Sequence, residues 1–127
     1  MKIDGFLDEE LQPKISLVTR GRRKAAHTVF VIDTGFSGDI CLPVGLAIEL
    51  GLELLGRDIV EFADGTIKRE LTFAGWVDWY DARREVQVML TDSEEALIGS
   101  GMLKDQKLTI DYPSRSVTIE PANPAKR

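Results

Sequence analysis

Apolar and polar positions alternate with a period of two along most of this chain, the spacing that sends successive side chains to opposite faces of a β-strand. In Lys14–Arg20, Ile15 and Leu17 stand against Lys14 and Ser16. Ala26–Ile32 is more continuously apolar, as suits a strand buried on both faces. Gly21-Arg22-Arg23-Lys24 between them reads as a hairpin tip and a solvated loop. Ile40-Cys41-Leu42 is a further short strand, after which Pro43 is placed as the first residue of a helix. That helix runs to Leu50, presents Leu46, Ala47 and Leu50 on one face, and stops at Gly51. Asp58–Phe62 then runs into Asp64-Gly65, a two-residue hairpin signal, and returns as the alternating segment Thr66–Tyr80. Asp81–Arg84 turns the chain into Val86–Leu90, and a polar stretch, Thr91–Glu95, precedes Ala96-Leu97-Ile98-Gly99. A helical turn is expected over Ser100–Leu103. Leu108–Ile110 and Val117–Ile119, joined through Tyr112–Arg115, make a last hairpin before a loose tail, Pro121–Arg127. With no repeat and no linker, eight or so strands and one main short helix predict an all-β domain over residues 1–127, most naturally a closed β-barrel.

Composition narrows the partners. At 127 residues, 43% hydrophobic and 29% charged, the chain is large enough for one real core. A net charge of −5 and a pI near 4.9 argue against an extended nucleic-acid surface. No apolar run approaches the roughly 20 residues of a membrane-spanning helix. Acidic residues in Met1–Glu10 occupy the place where a secretory signal has its apolar region, so the expectation is a soluble, cytoplasmic protein. Cys41 is alone, which leaves no intrachain disulfide and no cysteine cluster for zinc; no metal or cofactor is expected.

The chemistry concentrates at Asp33-Thr34-Gly35, which ends the apolar run Thr28–Ile32 and leads into Phe36-Ser37-Gly38. A strand that delivers an aspartate into a glycine-containing turn fixes the carboxyl while admitting close backbone approach, as a carboxylate-based hydrolase requires. The motif occurs once, whereas activating a water between carboxylates normally takes two. The bland reading is a strand end whose aspartate caps a turn. His27 and Cys41 suggest a cysteine hydrolase only weakly, since each sits in an apolar run as core or its edge. Trp76, Trp79 and Tyr80 read as packing for a barrel or an interface rather than a stacking platform.

Three segments together resemble a known family. Val31–Ser37 resembles the active-site loop of aspartic peptidases, the Asp64-Gly65 hairpin resembles their flap, and Ala96-Leu97-Ile98-Gly99 before a short helix resembles the element that supports the loop. Over about residues 13–120 the chain is similar to the retropepsin-like aspartic peptidases, especially the small bacterial ones, in which each chain is one lobe.

The resemblance implies an acid-protease barrel and a homodimer in which Asp33 faces its counterpart, the dyad sharing one proton. It implies that Thr34 bonds across the interface, that Gly35 bares the backbone beside the substrate, and that Ser37 belongs to the loop's support. Ala63, Asp64 and Gly65 would tip the flap over an extended polypeptide substrate, and Leu97, Ile98 and Gly99 would brace the loop. Retroviral relatives share a sheet made of chain ends, a part open to Val117–Glu120, while the extra residues at both termini could equally serve another interface. One departure stands out: the family has a small residue, serine, threonine or alanine, where this chain has Phe36. A phenyl ring cannot bond the outer carboxyl oxygen, and Ser37 next to it alternates to the opposite side. Phe36 therefore keeps open the alternative of a peptide-binding or assembly module with little catalysis.

Overall fold

The alternating pattern becomes strands almost throughout the computed structural model, which describes residues 1–61 and 64–123. In chain order these are β1 (Ile3–Leu7), β2 (Pro13–Arg20), β3 (Ala25–Ile32), β4 (Ile40–Pro43), β5 (Glu53–Glu61), β6 (Ile67–Trp79), β7 (Ala82–Thr91), β8 (Ala96–Ile98), β9 (Gln106–Asp111) and β10 (Ser116–Pro121). Two helices interrupt them, α1 (Val44–Leu50) and the single turn α2 (Ser100–Leu103). One sheet runs β5-β6-β7-β4-β8-β3-β2-β1-β10-β9, and a further pairing of β6 with β2 closes its middle six strands into a barrel. Inside the ring lie Ile15, Phe30, Ile40, Val77, Val88 and Ile98, all without solvent exposure. No helix among the described residues is long and apolar enough to cross a membrane.

The closing seam is narrow. Only Thr19↔Val77 and Arg20↔Trp76 pair across it, and Arg20 supplements them with a two-pronged ion pair to Asp78, Nε to Oδ1 and Nη2 to Oδ2, both 2.9 Å. The guanidinium beside it holds the Asp78 carboxyl below the usual carboxylate range.

Several elements differ from their sequence expectation, each for a local reason. β3 alternates instead of burying both faces: Thr28, Phe30 and Ile32 are buried while Val29 is 50% exposed and His27 lies outside the core. Pro43 closes β4 and caps α1 instead of starting it, and α1 ends at Gly51 in the left-handed conformation (φ 74°) as expected. β5 begins at Glu53, ahead of the expected Asp58, because a register shift between Leu54 and Gly56 breaks the alternation there. The β6–β7 turn is Tyr80-Asp81 alone, with Tyr80 at φ 57°, so Ala82–Arg84 belong to β7. β1 lies outside the strands expected from the sequence, since Gly5 sits at its centre. A Cβ on Gly5 would stand 2.2 Å from the Lys14 carbonyl oxygen, so the residue that hides the strand is the one that lets it approach β2.

Three further expectations change. The tip Gly21–Lys24 has exposed side chains but a docked backbone: the Arg22 and Arg23 N–H groups donate to the Gly51 and Leu50 carbonyls, satisfying the end of α1. Val117–Ile119 is flanked on both sides within its own chain, by β1 and β9, and Glu120 pairs with Lys107 of β9, so the segment is taken up inside its own sheet. At the C-terminus Pro121 is still in β10 and the Ala122 N–H donates to the Asp105 carbonyl, so the tail is ordered at least that far; residues 124–127 lie outside the described residues.

Replacing Asp78 with asparagine is expected to lower the melting temperature at pH 7. Because the native carboxyl has the lower pKa, its stabilisation is complete above the unfolded value of about 3.9 and fades as pH falls through the folded one. The difference between wild type and Asp78→Asn in thermal melts should therefore shrink below about pH 4. A constant difference down to pH 2 would contradict the assignment.

Candidate active site

Asp33 follows directly on β3, whose parallel pairing with β8 sets Phe30, Val31 and Ile32 beside Ala96, Leu97 and Ile98. The Asp33 N–H donates to the Ile98 carbonyl at 2.9 Å, extending that ladder by one bond beyond the strand. Its side chain then turns back on the loop: Oδ1 accepts the Gly35 N–H at 2.9 Å, while the Asp33 carbonyl accepts the Phe36 N–H at 3.1 Å. A carboxylate so bonded has one oxygen engaged and its orientation set by backbone. Asp33 is half-buried, and Thr34, Gly35 and Ser37 are exposed.

The far arm of the loop is held by the same element. β8 also pairs antiparallel with β4, Ile40 beside Ile98 and Cys41 beside Leu97, so its three residues stand between the strands that enter and leave the loop. Beyond β8, Gly99 N–H donates to the Asp39 carbonyl (2.9 Å), Ser100 N–H to the Phe36 carbonyl (2.7 Å) and Gly101 N–H to the Gly38 carbonyl (3.1 Å). The contact is too close for side chains. A Cβ on Gly99 would lie 2.3 Å from the Gly38 oxygen and 2.5 Å from the Phe36 oxygen, and one on Gly101 2.5 Å from Asp39 Oδ1. Ile98 thus meets Asp33 directly and Gly99 meets Phe36 and Asp39, whereas Leu97 pairs with Val31 and Cys41 on the flanking strands. Asp39, Ser100 and Gly101 extend this set beyond the residues singled out from the sequence. Asp39 also accepts the Gln87 N–H of β7 through Oδ2 at 3.0 Å. A Gly-Asp pair just ahead of a short strand, and two glycines flanking Ser100, were the available signals.

Phe36 is folded onto its own loop. Its ring carbons come within 2.6 Å of the points where Cβ atoms of Gly38 and Gly99 would sit, so those two glycines make the space the ring fills.

No family model matches the chain, and no curated protein does. Solved structures do. A retropepsin-like aspartic protease from Rickettsia conorii superposes with a TM-score of 0.64 at 17% identity, covering 94% of this chain and 90% of that one. The EIAV protease bound to an inhibitor matches with a TM-score of 0.57 at 12% identity, over 77% of this chain and 90% of its own. The fold is retropepsin-like. Within this retropepsin-like barrel, the Asp33 loop and its glycine-rich brace form one hydrogen-bonded unit, while Asp64 and Gly65 stand on the separate β5–β6 arm.

On that arm the last pair is Glu61↔Ile67, so the connection is longer than the two residues expected of Asp64-Gly65. Asp64 Oδ1 accepts the Thr66 N–H at 2.9 Å and also the Thr66 hydroxyl, a side-chain turn that replaces the tight hairpin and holds this carboxyl below its usual range. Gly65 supplies the positive φ, 87°. Ala63 lies outside the described residues.

His27 and Cys41 are not a catalytic pair. His27 is exposed on β3, whereas Cys41 is buried on β4 and its thiol is pushed up by burial, so it stays protonated. Two of the three aromatics pack as expected: Trp79 is buried, its ring meets Tyr80 edge-on at 5.5 Å, and the Tyr80 hydroxyl bonds Gln106 at the start of β9, whereas Trp76 is half-buried and lines a groove with Arg20–Ala25 and Arg83.

Gly99→Ala is expected to cost about 1–3 kcal/mol in urea unfolding by forcing the loop off its brace. Gly45→Ala in α1, where a Cβ meets nothing within 4 Å, should instead raise stability by about 0.5–1 kcal/mol. Equal effects of the two substitutions would show that crowding at Gly99 does not hold the loop.

Proposed function

We propose that residues 1–127 form one peptidase domain that works as a homodimer in the cytoplasm and cleaves extended polypeptides. In this reading Asp33 of each chain supplies half of a catalytic dyad. The observation that carries it is the Asp33 carboxyl, oriented by Gly35 N–H and braced through Ile98, within a retropepsin-like fold. One such carboxyl per chain suits a site completed by two-fold symmetry.

Two carboxyls in contact share a proton, because both cannot easily ionise. The ionised member takes a proton from a water as the water oxygen bonds to the scissile carbonyl carbon. The protonated member gives its proton to the carbonyl oxygen, leaving a neutral tetrahedral diol. Collapse of the diol breaks the carbon–nitrogen bond and returns a proton to the amine. Thr34 is assigned the bond across the two-fold axis, Gly35 the backbone approach to substrate, and Ser37 support of the loop. Asp64 and Gly65, with Ala63, are assigned to a flap that pairs with the peptide backbone and excludes water.

A second reading rests on Phe36. Its ring packs beside Gly38 and Gly99 and carries no hydroxyl to offer the outer carboxyl oxygen, which favours a peptide-binding module with weak catalysis.

Incubation with a mixed peptide library from acidic to neutral pH separates the readings. Cleavage by wild type that falls about 10²–10⁴-fold in Asp33→Asn is the expected result. Cleavage undiminished in that variant rules out the dyad. Peptide binding without cleavage, in wild type and in Phe36→Thr alike, would establish the second reading, whereas faster cleavage by Phe36→Thr would identify the ring as a brake on the first.

A further inference from the structure

Among the described residues the sheet has two open edges, β5 and β9. An open edge presents unpaired N–H and C=O groups and pairs readily with another strand. β5 carries the arm assigned above to substrate. β9 carries nothing, and it is separated from the brace of the Asp33 loop by little more than α2.

The side chains of β9 are self-complementary in one register. Gln106, Leu108 and Ile110 lie on the half-buried face, and Lys107, Thr109 and Asp111 on the exposed face. Two copies that meet antiparallel about a two-fold axis through Thr109 put Leu108 opposite Ile110 twice and Lys107 opposite Asp111 twice, with Thr109 opposite itself. Apolar positions stay with apolar ones, and each lysine meets a carboxylate. Centring the axis on Leu108 instead puts Asp105 opposite Asp111, like charge against like, at both ends. A register shifted by one sets the half-buried face of one copy against the exposed face of the other. The strand is also held in place for such pairing: β10 backs all six of its residues, and Tyr80 bonds Gln106.

We propose that β9 is the dimer seam, a second copy of this chain pairing with it antiparallel with Lys107 opposite Asp111 and Thr109 on the axis. The inference rests on the homodimer reading above and names the strand that makes it. Val117–Glu120, taken up inside its own sheet, then serves as the second strand on each side of the axis rather than as an exchanged end.

The test is the dissociation constant of the dimer, read by sedimentation equilibrium without substrate. Asp111→Lys and Lys107→Glu should each weaken the dimer about tenfold, because two symmetry-related pairs turn repulsive at once. Lys107 also stands opposite Glu120 within the chain, and Asp111 opposite Ser116, so a single reversal could act on the fold itself. The double variant Lys107→Glu with Asp111→Lys decides this, since it restores attraction only between copies and should return the constant to near its wild-type value. A dimer whose constant ignores the single changes, or is not rescued by the double one, overturns β9 as the seam while leaving a dimer. A monomer at every concentration overturns both the seam and the homodimer. A swap-sensitive dimer that cleaves no peptide supports the seam and removes only the peptidase reading.

Discussion

Three residues of β8 hold this molecule together. Ala96-Leu97-Ile98 pair in parallel with β3 on one side and Leu97-Ile98 antiparallel with β4 on the other, which makes β8 a member of the closed ring and the wall between the two arms of the Asp33 loop. A strand this short has little pairing energy of its own, and its order comes from neighbours on both sides and from Ile98 buried in the core. The carbonyl of Ile98 and the amides that follow it then reach the loop directly. Core packing and the position of the candidate carboxylate are thus set by one element.

Much of this was legible in the chain because period-two alternation is a direct image of a half-buried strand. Lys14–Arg20, the long return strand and the last hairpin follow it closely. The misses share a cause: the information lay in backbone approach instead of side-chain hydrophobicity. Gly5 hides β1, and the register shift at Leu54–Gly56 masks the start of β5. Val29 reads as core by composition yet faces outward by position. At the site, Asp33 and Leu97–Gly99 stand out as residue types in an order, whereas Asp39, Ser100 and Gly101 act mainly through main-chain groups that any residue possesses. Their part became visible only once the topology had brought residues some sixty positions apart into hydrogen-bond contact.

The loop and its brace meet as backbone on backbone. Gly38, Gly99 and Gly101 leave no space for side chains, and the Phe36 ring takes up the one gap that remains beside two of them. A bulky residue at this point of the loop is therefore matched by glycines around it. The bond that fixes the Asp33 side chain comes from the main-chain amide of Gly35.

The β2–β6 seam closes the barrel with two backbone pairs, as many as β4 makes with β8. It lies at the Arg20–Ala25 end of the β2–β3 pair, whereas Asp33 emerges from the opposite end of β3. The first of these seams is tied by the Arg20–Asp78 ion pair, and the second by the main-chain bonds from Gly99, Ser100 and Gly101 to the Asp33 loop. Each pole of the ring thus has a short seam with its own reinforcement, charge at one and main-chain hydrogen bonds at the pole that carries Asp33.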